Sequence, residues 1–176
     1  MKQRIFVAIG ISEDLKASIA KWQKQNAKLA IRFIQPKNLH LTLIPPWYED
    51  PKKIIKQMQK FSSSVKPFSL KFHLIESRPR LVWMKGKFSR ELVSLQKELT
   101  RFLHVKLESR LLLPHITLAR FKKNIIFEEK TIDWSMHVNS FVLMKSSLSP
   151  NGANYEVLAE FPSQNNHHPL LSNAFT

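Results

Sequence analysis

The chain contains no cysteine, which excludes disulfides, thiolate metal sites and cysteine nucleophiles. Acidic residues are scarce: 13 Asp and Glu stand against 28 Lys and Arg, a formal net charge of +15 over 176 residues. A field of that sign favours anionic partners such as nucleic acid, phosphorylated ligands or an acidic membrane surface. Long apolar runs are also missing. The stretch Ile5 to Ile11 is too short to cross a bilayer. Glu13 and Asp14 follow it, with no small-residue cleavage site of the secretory kind. It reads as a buried strand, and the expectation is a cytoplasmic protein with no membrane association.

What is present is ordinary for a globular chain: 43% hydrophobic and 23% charged residues. The length suits one compact domain, or two small lobes sharing a core. Three amphipathic helices are predicted. The first opens at Ser12, with Glu13 and Asp14 in its first turn, and carries Leu15, Ile19, Trp22 and Leu29 as its apolar stripe. The second opens with Asp50 as cap and Pro51 at the first position, followed by Ile54, Met58, Phe61 and Val65. The third opens at Ser89 and buries Leu92, Leu95, Leu99 and Phe102.

Strands are predicted at 5–11, 39–44, 68–75, 81–85, 115–121, 141–148 and 155–161. The last two flank Pro150-Asn151-Gly152, a turn sequence, and read as a hairpin. From Ser163 the chain becomes polar and irregular, so residues 1–162 are expected to form the domain and 163–176 a poorly ordered tail. The His167-His168 pair in that tail is read as incidental.

The most informative feature is an internal echo. A strand, an amphipathic helix and a strand beginning His-x-Thr-Leu occur twice in the same order. His40-Leu41-Thr42-Leu43 lies 28 residues after Ser12, and His115-Ile116-Thr117-Leu118 lies 26 after Ser89. This predicts two lobes related by a pseudo-two-fold, each offering one histidine strand to a shared groove.

Side chains alternate across a strand, so His40 and Thr42 share one face, and His115 and Thr117 another. Two imidazoles suit a phosphodiester displacement, which needs one proton removed and another supplied near neutral pH. Threonine hydroxyls can hold the non-bridging oxygens as charge builds. Which histidine is acid and which is base stays open on this reasoning. His73, His104 and His137 have no matching partner pattern and are read as structural. A zinc site is a competing use of histidine. Neither strand carries a nearby carboxylate or second histidine, so no metal is expected.

These residues resemble the RNA 2′,3′-cyclic phosphodiesterases, once called 2′-5′ RNA ligases, of the 2H phosphoesterase superfamily. The resemblance runs from about Arg4 to Phe161. It includes Arg4-Ile5-Phe6-Val7-Ala8-Ile9, Arg32-Phe33 and Pro36-Lys37-Asn38-Leu39-His40-Leu41-Thr42-Leu43. It continues through Arg78-Pro79-Arg80-Leu81-Val82-Trp83 and Pro114-His115-Ile116-Thr117-Leu118-Ala119-Arg120, and closes on Ser146, Leu148, Gly152, Tyr155, Leu158 and Phe161.

The resemblance implies a bilobal α+β fold with antiparallel sheets around a central groove, no metal or organic cofactor, and RNA or nucleotides ending in a 2′,3′-cyclic phosphate as substrate; a monomer is expected. It implies His40 as proton donor to the leaving O3′, His115 as the acceptor that activates water, and a 2′-phosphate product. Arg120 matches the pattern and is a candidate phosphate ligand, although strict alternation sets it on the face opposite His115. The sequence departs from the family after the first motif, where it reads Ile44-Pro45-Pro46-Trp47-Tyr48. Trp47 or Tyr48 is a candidate to stack a base, with packing under the second helix as the other reading. Competing functions are 2′-5′ bond formation or cleavage, another cyclic nucleotide diester, and a non-catalytic RNA-binding module using Lys52, Lys53, Lys56 and Lys60.

Overall fold

The computed structural model describes residues 1–62, 64–106, 112–122, 125–149 and 152–164. Among these, nine strands form two antiparallel sheets, accompanied by three α-helices. The first sheet has the order β3-β1-β8-β9, built from His40–Glu49, Gln3–Gly10, Ser140–Ser149 and Gly152–Pro162. The second has the order β2-β6-β5-β4-β7, from Arg32–Phe33, His115–Arg120, Leu81–Gly86, Phe68–Arg78 and Lys130–Val138.

The echo in the sequence is a structural repeat. In one lobe β1 leads through α1 (Glu13–Gln25) to β3, its antiparallel neighbour; in the other β5 leads through α3 (Arg90–Phe102) to β6. The two histidine strands, β3 and β6, meet where the sheets come together. One continuous core runs under both lobes, joining Ile19 and Trp22 of α1, Ile54 and Met58 of α2 (Pro51–Ser62), and Leu92 and Leu99 of α3. Each such fully buried side chain contributes about 1.5–3 kcal/mol.

The helix starts follow the caps. Asp50 Oδ1 accepts from the Lys52 amide, and Ser89 Oγ accepts from the Leu92 amide. Ser12 occupies the capping position of α1 without a side-chain bond. Leu29 lies beyond that helix, because the Asn26 amide side chain takes the Trp22 carbonyl and closes the last turn. Phe102 is 38% exposed rather than buried, with one side against Phe61. Val65 also falls past its helix, packed at the edge of the core. The expected strands are present, most of them longer than their apolar runs, and the two-residue β2 and the longer β7 are additional strands. In β7, Ile132, Met136 and Val138 are buried while Thr131, Asp133, Ser135 and His137 are exposed, a period-two pattern.

The β8–β9 hairpin forms as expected, with Gly152 at φ 113°, where a Cβ would run into the Arg32 guanidinium. Ser163 is buried and bonds to the Asn139 carbonyl, and the Gln164 amide bonds to Val65. Residues 165–176, including His167 and His168, lie outside the described part, as do Pro150 and Asn151. No helix among the described residues is long and apolar enough to cross a membrane.

Candidate active site

Each histidine opens its strand at the corresponding place in its lobe. His40 pairs with Gly10 and Thr42 with Ala8; His115 pairs with Lys85 and Thr117 with Trp83. The intervening Leu41 and Ile116 are buried in the core, so all four polar side chains lie on the open faces.

The rings are held alike. His40 Nδ1 lies 2.8 Å from the Asn38 carbonyl, and His115 Nδ1 lies 2.9 Å from the Leu113 carbonyl. A carbonyl can only accept, so Nδ1 carries the proton in both rings and a neutral imidazole keeps its basic site at Nε2. The residue two before each histidine thus selects the tautomer. Close packing sets the approach of the second strand. The Gly86 amide donates to the Pro114 carbonyl at 2.7 Å, and a Cβ on Gly86 would stand 2.7 Å from Pro114 Cβ.

Both histidine strands carry a β-bulge just after the threonine. In β3, Ala8 faces Thr42 while Val7 faces Ile44, so Leu43 is the extra residue. In β6, Trp83 faces Thr117 while Val82 faces Ala119, so Leu118 is the extra residue. Two successive side chains then point inward: Leu43 and Ile44 in one lobe, Leu118 and Ala119 in the other, all 0% exposed. The inserted residue reverses the alternation beyond it.

This corrects the expected placement of Arg120. It pairs with Leu81, on the same face of β5 as Trp83 and Lys85, and so rejoins the face of His115 and Thr117. Its counterpart in the first lobe is Pro45. Only one lobe brings a cation to this position.

The electrostatics differ between the two rings. The His40 pKa is lowered from the ordinary histidine value. Burial is the main cause, partly opposed by the bond to Asn38; the charges of His115 and Arg120 add to the lowering. The pair is therefore close enough to interact, and free His40 favours the neutral form.

Aromatic side chains flank both rings, a feature the sequence reading does not assign to the site. Phe6 and Tyr155 each lie 5.0 Å from the His40 ring centre, and Trp83 lies 4.8 Å from that of His115. The Trp83 indole N–H donates to Glu76 Oε1 at 2.9 Å, and the Arg78 guanidinium sits 5.2 Å from its ring centre. Period-two placement on the neighbouring strands was the available signal. Trp47 packs against the core, whereas Tyr48, paired with Arg4, is 67% exposed. Of the remaining histidines, His73 lies at the β4 bulge, His104 in the turn after α3, and His137 on β7 beside Ser69. Among the described residues, no three or more His, Cys, Asp or Glu side chains gather as a metal site.

Comparison with known proteins bears on the family and the fold. The sequence model of the 2′-5′ RNA ligase superfamily matches residues 11–149. The RNA 2′,3′-cyclic phosphodiesterase of Methanocaldococcus jannaschii is 32% identical, the match covering 90% of this chain and 99% of the relative. A crystal structure of the Thermus thermophilus protein TT0787 superposes with a TM-score of 0.77 at 23% identity, covering 93% of this chain and all of that one. Apo LigT of Escherichia coli superposes at 0.75 and 24% identity, covering 92% and 98%. At these identities the two structures speak for the fold alone.

Proposed function

The chain belongs to the 2′-5′ RNA ligase superfamily, and on that premise we propose that it hydrolyses the 2′,3′-cyclic phosphate at an RNA or nucleotide terminus to a 2′-phosphomonoester. The observation that carries this reading is the matched pair of imidazoles, each anchored through Nδ1 to a carbonyl two residues earlier. In this reading both rings use Nε2 for proton transfer.

In the proposed step, His115 Nε2 accepts a proton from water as the water oxygen bonds to phosphorus. The bond from phosphorus to O3′ breaks, and His40 delivers its Nε2 proton to that oxygen. The product keeps phosphate on O2′, and a return of the proton from His115 to His40 through solvent restores the pair. Thr42, Thr117 and Arg120 stabilise the non-bridging oxygens, a role suited to fixed donors and a nearby cation.

His40 has to be charged to act as the acid, yet burial, with Arg120 and His115 close by, disfavours that form in the free protein. The anionic cyclic phosphate supplies the opposing charge. Substrate binding and protonation of His40 are thus linked, and the ring becomes a competent acid when a phosphate is beside it.

The test is incubation with nucleoside 2′,3′-cyclic phosphates in EDTA, with the phosphate isomer of the product identified. Formation of the 2′-isomer is expected. Loss of turnover in chelator, restored by a divalent cation, would refute this mechanism.

A further inference from the structure

Building on the proposed reaction, we infer that the open face of the second sheet is a track for the RNA backbone leading away from the reacting end. The substrate class then narrows to single-stranded RNA ends rather than free nucleotides. The strand registers place the side chains in rows across the sheet. His115 on β6 stands opposite Lys85 on β5, and Thr117 is followed by Trp83 and Glu76. Arg120 is followed by Leu81 and then Arg78 on β4.

With strands about 4.8 Å apart, Arg78 lies about 10 Å from Arg120 along its row. Lys71, exposed on β4, continues the cationic surface beyond the bulge in that strand. Glu76 on this face is already bonded to the Trp83 indole. Asp133 on the edge strand β7 marks where the cationic surface ends.

The first sheet offers no equivalent. On the face that carries His40, Phe6, Ala8, Val142 and Met144 form a buried apolar cluster with Tyr155 packed against it, and Arg4 is bonded to Ser146. A polyanion leaving the histidine pair therefore meets fewer cations on the side of the first sheet and a spaced series of them on the second. Charge complementarity selects the second sheet, with Arg78, Lys85 and Lys71 as phosphate partners and Trp83 as the aromatic surface between them.

The experiment compares kcat/KM for a nucleoside 2′,3′-cyclic phosphate and for a pentanucleotide with the same cyclic end, over a range of salt. The native chain is expected to favour the pentanucleotide at low salt. In the Lys71→Gln/Arg78→Gln variant that preference should shrink at least about fivefold. The slope of log kcat/KM against log salt for the pentanucleotide should flatten by about 1.4, the value for two lost contacts to a single strand. A Lys52→Gln/Lys53→Gln variant on α2 should keep both.

If neither substrate is turned over, the reaction itself is misassigned. If the nucleotide is turned over without any preference for the longer chain, the track is wrong and the reaction stands. Loss of the preference in the α2 variant, with the sheet variant unaffected, also overturns the track.

Discussion

The side-chain amide of Gln96, on α3 of one lobe, donates to the carbonyl of Leu43 in the bulge of the other lobe at 2.7 Å. The relationship is reciprocal. Gln23 on α1 reaches the Leu118 carbonyl at 3.4 Å and that of Ile34 at 2.9 Å. Each helix therefore ties down the bulge of the opposite histidine strand, and the bulge sets which side chains return to the groove.

Removing the first of these ties should loosen the site more than the fold. Gln96→Leu leaves the Leu43 carbonyl without that donor, at a cost of about 1–3 kcal/mol. Thermal or denaturant unfolding measures this cost. Turnover should fall as well, because Thr42 immediately precedes the bulge. Activity equal to that of the native chain in a variant destabilised by this amount would mean that the bulge does not need the tie to serve the groove.

Replacing either histidine should remove about 10²–10⁴ of the turnover, the range of one general acid or base. The double variant should lose far less than the product, since the two act together. Thr42→Ala and Thr117→Ala should cost less, because proton transfer survives. The roles separate by leaving group. With a diester whose leaving group is a weak base, His40→Ala should recover most of its rate while His115→Ala should not. The reverse pattern would exchange acid and base.

The pH profiles should reflect the linkage between phosphate and His40. As the proposed acid, His40 loses activity as pH rises through its pKa. This value is lowered in the free protein, so the alkaline limb of kcat/KM should lie below that of kcat, where bound phosphate favours the charged ring. Coincident limbs would argue against this coupling.

Stability carries the same signature. The folded pKa of His40 is below its reference of 6.5, so the unfolded chain binds the extra proton more readily. The stabilisation from the neutral buried ring is complete above the unfolded value and is lost as pH falls from about 6.5 through the lowered folded value. Denaturant titrations across this window should show stability falling with acid, and His40→Ala should reduce that slope.

Gly86→Ala tests the placement of the second histidine strand. The new methyl would stand 2.7 Å from Pro114 Cβ, and Pro114 leads directly into His115. An overpacking cost of about 1–3 kcal/mol is expected, with a loss of turnover. A native melting temperature together with native turnover would show that the strand accommodates the shift freely.

The sequence by itself determined the local elements and the repeat. The caps at Asp50 and Ser89 and the apolar stripes of the helices follow from short-range geometry. So does the sharing of a face by histidine and threonine, two residues apart on a strand. Tertiary structure decided what depends on pairing between distant segments. The bulges at Leu43 and Leu118 exist only relative to β1 and β5, and they move Arg120 to the face that strict alternation denies it. The lowered pKa of His40 likewise comes from surroundings that include His115 and Arg120, brought near by the meeting of β3 and β6. Residue spacing along one strand cannot encode an extra residue that is extra only against its partner, so the fold alone could place these groups.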